Sequence, residues 1–313
     1  MSQTETKNAL KVVEEVRKVI IGKDSCIYRV MAALLAQGHV LIEDIPGVGK
    51  TTMALAFSKA MSLTQNRMQF TPDVLPSDVT GYFMYENGKF QFHKGPIFCN
   101  LFLADEINRT SPKTQSALLE VMEEGTVTVD AVTEMVPKPF LVMATQNPIG
   151  SSGTQMLPES QLDRFMIKIR MGYPSPEQEV EILKYRHASD PMELVEPVIT
   201  IDEIIRMQSI VEQTYIHDLI YQYMVQLVQE TRNHEMIQLG ISPRGTLAIA
   251  NMAKANAFLR ERDYVIPDDV SDVFKDVAGH RIVINAKAKI GKVTPDQILD
   301  SILKTVKKPT AEG

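Results

Sequence analysis

The chain of 313 residues contains no tryptophan and only two cysteines, Cys26 and Cys99. They stand far apart and in no metal-ligand spacing, which excludes a disulfide framework and a cysteine-based zinc site. They read as two small apolar residues in a reducing compartment. The six histidines are scattered and form no metal-binding pattern either. No uninterrupted apolar run approaches the ~18 to 20 residues that a membrane span needs. The first residues, MSQTETKNALKVV, lack the apolar stretch of a secretory signal. A cytoplasmic chain with no membrane insertion is therefore expected. There is no surplus of positive charge: the formal net charge is -6. Nothing in the overall balance favours a nucleic-acid partner, although a local basic patch is still allowed. What is present is a 44% hydrophobic and 23% charged composition with ordinary glycine and proline content. That describes a globular chain long enough for about two domains.

Residues 6–37 carry two helical patterns broken at Ile21-Gly22. His39 to Ile42 is a short apolar run suited to a buried parallel strand. A loop follows, and KTTMALAFSKAM then has the spacing of a helix. RMQF, NLFLADE, FLVMATQNP and DRFMIKIRM are further strand candidates. YFMYENGKFQFHKG, with Asn87-Gly88 at its centre, and TVTVDAVTEM are hairpin candidates. In TSPKTQSALLEVMEEG, Ser111 suits a helix cap, Pro112 the first turn and Gly125 the stop. From Pro174 onward strand-like runs are scarce. The expectation is an α/β unit over 1–173, with a parallel sheet covered by helices on both faces, and an all-helical unit over 174–313.

The stretch HVLIEDIPGVGKTTMALAFSKAM carries the first chemistry. A phosphate-binding loop usually reads G-x-x-x-x-G-K-[ST]. Counting back from Gly49-Lys50-Thr51, position 44 should be glycine, and here it is Asp44. Either this is an ordinary glycine turn before a helix, or it is a variant loop whose turn is made by Pro46 and Gly47. In the second case backbone N–H groups hold phosphates, Lys50 reaches the outer ones and the Thr51 hydroxyl ligates Mg²⁺. The Asp44 side chain must then turn away, because two anions in one place repel. The stretch LFLADE supplies the matching half: an apolar strand ending in Asp105, suited to orient Mg²⁺ and its water shell, and Glu106, suited to position and deprotonate an attacking water. Both features follow buried strands, so both belong at the carboxyl edge of one sheet. As an isolated feature, Asp105-Glu106 would be an ordinary surface acid pair.

EDIPGVGKT, LADEINRTSPKTQSALLEVMEEG and ATQNPIGSSGTQMLPESQLDRF together resemble the MoxR family of AAA+ ATPases, and the likeness runs from IIGKD to GISPRG. The family also lacks the first loop glycine, so the resemblance implies that the loop is real. It implies a AAA+ core with a parallel sheet sandwiched by helices, a C-terminal helical lid, and ATP and Mg²⁺ as cofactors. Asp44, Pro46, Gly47, Val48, Gly49, Lys50, Thr51 and Thr52 fall in the nucleotide loop, and Ile20, Ile21 and Gly22 in the segment that lines the adenine, where packing between two helices is the alternative. Thr51 and Asp105 match the metal positions and Glu106 the catalytic acid. Asn147 matches the sensor-1 residue, where a plain Asn-Pro turn is the alternative. Arg164 resembles the arginine finger that enters a neighbour's site, where pairing with Asp163 or a nearby acid is the alternative. Arg244 resembles sensor 2, where a first-turn filler is the alternative. The two hairpins resemble inserts that project toward the ring in related motors. The second hairpin carries Asp130 and Glu134 and no cation, which counts against gripping DNA phosphates. The resemblance further implies a homo-oligomeric, hexameric ring with a chaperone-like role. That role is remodelling, activating or inserting a cofactor into client proteins, often alongside a separate protein with a von Willebrand factor A domain. A nucleic-acid motor, a chelatase-type subunit and a nucleotide-gated platform that hardly hydrolyses ATP are the competing readings.

Overall fold

The computed structural model describes residues 3–45, 47–147, 157–188 and 191–310. The chain opens with helices α1 (Gln3–Arg17) and α2 (Asp24–Leu35) and strand β1 (Val40–Glu43). Helix α3 (Lys50–Ala60), strand β2 (Gln65–Gln69) and the short helix α4 (Pro76–Thr80) follow. Then come a hairpin of β3 (Gly81–Glu86) and β4 (Lys89–Lys94), strand β5 (Leu101–Asp105) and helix α5 (Pro112–Glu124). A second hairpin, β6 (Thr126–Val129) and β7 (Val132–Met135), precedes β8 (Leu141–Gln146), α6 (Glu159–Leu162) and β9 (Ile167–Ile169). Five of these strands form one parallel sheet in the order β2-β5-β8-β1-β9.

That sheet is buried on both faces because its strands are apolar at nearly every position. Residues of one parity (Val40, Ile42, Leu101, Leu103, Leu141, Met143) pack with α1, α2 and α3. Residues of the other parity (Leu41, Phe102, Ala104, Val142, Ala144) pack with Leu118, Leu119 and Val121 of α5. A period of two thus sends one strand into two separate cores. The local signals at α5 are realised as read: the Ser111 hydroxyl accepts from the Thr114 N–H, Pro112 opens the helix, and Gly125 closes it at φ 66°.

After β9 the chain is largely helical: α7 (Pro176–Ala188), α8 (Ile201–Glu212), α9 (Asp218–Asn233), α10 (Pro243–Leu259), α11 (Pro267–Ala278), α12 (Ala286–Ile290) and α13 (Pro295–Thr305). The expectation of an all-helical lid needs one correction. A two-stranded antiparallel ribbon, β10 (Ile237–Leu239) with β11 (Val283–Ile284), ties the end of α9 to the segment after α11. These pairings are too short to show period-two alternation in sequence. Helix α2 packs on α8 and α10 as well as on α1, so one continuous apolar core joins the N-terminal helices to the lid. No helix among the described residues is long and apolar enough to cross a membrane.

Candidate nucleotide site

The sheet order does most of the positioning. Strand β8 lies between β1 and β5, and all three run the same way. Their carboxyl ends therefore place the loop after β1, Asn147 after β8 and the acid pair after β5 side by side. Neighbouring strands are ~4.8 Å apart, so the three fall within reach of one small ligand.

The loop between β1 and α3 holds Gly47 at φ 87° and Gly49 at φ 95°, a left-handed backbone that glycine adopts without steric cost. Helix α3 starts at Lys50 and has no side-chain cap; its first intrahelical bond from this loop runs from Met53 N–H to Gly49 O. The N–H groups of Lys50, Thr51 and Thr52 thus open onto the loop, at the positive end of the helix dipole. An anion is the natural partner for such a terminus. The Lys50 ammonium is buried and donates to the Asp44 carbonyl at 2.8 Å. An ammonium has three donors, so two remain for phosphate oxygens. Burial lowers the Lys50 pKa, opposed by the nearby charges of Asp44, Asp105 and Glu106.

Asp44 solves the problem its position raises. Its carboxylate points away from the loop and accepts the backbone N–H groups of Met171 and Gly172, both at 2.6 Å, and the Ile45 N–H at 2.9 Å. It ties the loop to the end of β9 rather than facing phosphate. Pro46, expected in the turn, lies outside the described residues.

The acid pair is held from several sides. Asp105 is buried and accepts from the Thr145 hydroxyl at 3.1 Å and from Arg67 at 2.6 Å. Thr145 also accepts the Glu106 N–H at 2.9 Å, fixing the two acids to the sensor strand. Glu106 sits at φ 57°, ψ 46°, a left-handed conformation that is rare for a residue with a side chain and that clusters at functional sites. Burial pushes the Glu106 carboxyl up. Hydrogen bonds from Arg109 and Asn147, with the charges of Arg109 and Lys50, outweigh it and hold the group below the ordinary carboxylate value. It is ionised at neutral pH, as a base must be. Asn147 in turn exchanges backbone–side-chain hydrogen bonds with Asn108. Arg67, Thr145, Asn108 and Arg109 were missed by sequence reasoning. They are ordinary polar residues: the pairing of β2, β5 and β8 brings Arg67 and Thr145 to the acids, and the short turn after Glu106 carries Asn108 and Arg109.

Next to the loop is a cavity of about 410 Å³, of a size suited to a drug-sized ligand. Val19, Ile20 and Ile21 line one wall and Gly47, Val48, Gly49 and Thr52 another. Pro174, Ile182 and Met192 close it from the lid side. Ile21, which the family resemblance puts near the adenine, lines this cavity. Gly22 has the left-handed φ of 70°, and a Cβ there would meet only the end of the Gln178 side chain, which would have to shift. The lid-side walls carry no motif and were legible only from the structure.

Arg164 and Arg244 are elsewhere. Met166 donates to His39 O at the start of β1, so Arg164 lies at the amino edge of the sheet, opposite the loop. A four-residue strand is ~13 Å long. Arg164 lies 3.1 Å from Glu123, and Arg244 contacts the other oxygen of the same carboxylate. The two arginines are together, but they are not at this chain's own phosphate loop.

Residues 39–167 match the ATPase family associated with various cellular activities (AAA), and residues 229–302 match the AAA lid domain. The chain is 49% identical over 301 residues to the uncharacterized protein YeaC of Bacillus subtilis, covering 96% of this chain and 94% of that one. It is 41% identical to chaperone MoxR1 of Mycobacterium tuberculosis, over 96% and 82% of the two chains. The chain belongs to the MoxR family of AAA+ ATPases. A crystal structure of a presumed ATPase from Cytophaga hutchinsonii superposes with a TM-score of 0.91 at 36% identity, covering 98% of this chain and 96% of that one. Protein MoxR of Methylorubrum extorquens matches at 26% over 96% and 95% of the chains.

Proposed function

We propose that the protein hydrolyses ATP in a Mg²⁺-dependent reaction within a homo-oligomeric ring, with six subunits as the family's expected number. The observation that carries this reading is the separation of its parts. The loop, Glu106 and Asn147 share the carboxyl edge of the sheet, while Arg164 and Arg244 share the amino edge. A complete site then needs a neighbour, whose two arginines would stabilise charge on the transferring phosphate.

Within one subunit the chemistry follows from the contacts. The α3 terminus and Lys50 bind the phosphates. Thr51 and Asp105 would hold Mg²⁺, which neutralises charge on the phosphate oxygens; the fit rests on a buried carboxylate whose two oxygens are already directed by Thr145 and Arg67. Glu106, kept ionised, accepts the proton of the attacking water, and Asn147 fixes the carboxylate's direction. The lid-side cavity takes the base.

ATP turnover in this reading drives chaperone-like remodelling or activation of client proteins in the cytoplasm, including cofactor insertion. A von Willebrand factor A domain protein is the partner class that the family resemblance suggests. The name of the Mycobacterium tuberculosis relative, a chaperone, agrees with this role. A nucleic-acid track is disfavoured, because the second hairpin carries Asp130 and Glu134 and no cation to meet phosphates.

The decisive experiment is steady-state ATP hydrolysis across a protein concentration series. Specific activity should rise with concentration, and Glu106→Gln should lower it about 10²-fold or more. Mixing Glu106→Gln with Arg164→Ala subunits should restore activity, because some interfaces then join an intact Glu106 to an intact neighbouring Arg164. Turnover that is independent of concentration, with no rescue on mixing, would refute the shared site.

A further inference from the structure

The amino edge of the sheet holds a carboxylate, Glu123, that the reaction as described does not use. Glu123, in the last turn of α5, meets Arg164 with one carboxylate oxygen, Oε2, at 3.1 Å and Arg244 with the other, Oε1. Its position is fixed by its neighbour: buried His39 hydrogen-bonds the Met122 carbonyl through Nε2 and accepts the Val142 N–H at Nδ1, which pins the end of α5 to the sheet. The three side chains rim an open cavity of about 220 Å³. Arg281 also borders it but is committed to Asp163 and to backbone carbonyls of Asp163, Phe165, Met166 and Val277.

Two guanidinium groups on one carboxylate leave the cluster with a net positive charge. Each arginine spends donors on an oxygen in the way it would grip a phosphate oxygen, since guanidinium fits both anions alike. Glu123 is 36% exposed at its side chain, Arg164 30% and Arg244 43%. Such half-exposed pairs are weak and salt-screened, so they exchange readily for a stronger anion. A terminal phosphate is that anion. If the carboxylate stayed between the arginines as the phosphate arrived, two negative charges would meet.

We propose that Glu123 is an autoinhibitory counter-ion. It occupies Arg164 and Arg244 in the separate subunit, and the terminal phosphate of a nucleoside triphosphate bound by a neighbouring copy displaces it. Productive subunit contact is thereby made dependent on the triphosphate. This rests on the ring reading above.

The test compares wild type, Glu123→Gln and Arg164→Ala, each shown folded by retained nucleotide binding. ATPase activity is followed against protein concentration, and assembly by sedimentation with Mg²⁺ and ATP. Glu123→Gln removes the charge and keeps the shape. It should lower the concentration of half-maximal specific activity, and that of assembly, about fivefold or more, with turnover at saturating protein no lower than wild type. Combining it with Arg164→Ala should abolish the gain. A fall in saturating turnover would overturn the proposal in favour of a positioning role for Glu123. An unchanged midpoint would show an idle surface pair and overturn it equally. If instead wild type and Arg164→Ala behave alike at every concentration, the ring reading itself fails and this inference falls with it.

Discussion

At the scale of the residue, the site is governed by where a few charges are allowed to point. Asp44 stands where phosphate loops usually have glycine, yet its carboxylate is consumed by three backbone N–H groups on the far side. It functions as a brace for the loop. Asp44→Ala would leave buried donors unpaired, at about 1–3 kcal/mol for each. Urea denaturation should register that loss, and nucleotide affinity should weaken with the loosened loop while Lys50 remains in place. Unaltered stability would mean that water replaces the carboxylate without cost. Glu106 is the complementary case, a residue whose backbone would suit glycine and whose side chain is needed regardless. The sequence motif predicts the acid; the left-handed geometry that aims it is visible only in three dimensions.

At the scale of the element, a buried arginine supplies most of the polar contacts between sheet and lid. Arg281, which follows α11, is almost fully buried and pairs with Asp163 at 2.8 Å. Asp163 also accepts from Ser242, the residue that caps α10 immediately before Pro243 and Arg244. The residue beside Arg164 and the cap beside Arg244 thus share one carboxylate, which couples both arginines to the lid. Removing one partner of a buried pair strands the other, at about 3–5 kcal/mol. Arg281→Ala should lower unfolding stability by that order, and Arg281→Lys should recover only part of it, since an ammonium cannot reproduce the fork. A loss below about 1 kcal/mol would show that the joint is held by apolar packing instead. Sequence reading gave Asp163 or a nearby acid as the partner of Arg164 if it were no finger; Arg164 meets Glu123, while Asp163 pairs with a residue 118 positions away, a separation no local pattern reports.

At the scale of the whole molecule, two buried histidines make stability depend on pH. Burial lowers His39 to about 4, against a hydrogen bond to Met122 O that acts the other way. Burial and then the charge of Arg281 push His280 well below its ordinary value. The unfolded chain therefore takes up these protons first. Stability is intact above pH 6.5 and is lost as pH falls toward 4. His39 accounts for about 3 kcal/mol of that loss at ~1.36 kcal/mol per pH unit. The stability gap between wild type and His39→Gln should narrow by roughly that amount from pH 7 to pH 4, measured by urea unfolding at each pH. A constant gap would mean that the site admits water on protonation. Glu106 remains ionised through most of this range, so loss of ATPase activity on acidification should track unfolding rather than protonation of the base.

The sequence by itself determined the parts. Short continuous apolar runs, one followed by a loop ending in GKT and one ending in ADE, specified buried parallel strands with a candidate phosphate loop and an acid pair at their ends. Ser111, Pro112 and Gly125 specified a helix and its limits. These are local signals, because capping, turn geometry and strand alternation act within a few residues. The tertiary structure decided how the parts meet. It placed β8 between β1 and β5, brought Thr145 and Arg67 to Asp105, and turned Asp44 aside. It also closed the cavity beside the loop with the lid and gathered Glu123, Arg164 and Arg244 at the edge away from the loop. Each of these depends on strand order or on contacts between distant segments, and their free energy comes from burying surfaces that lie far apart along the chain.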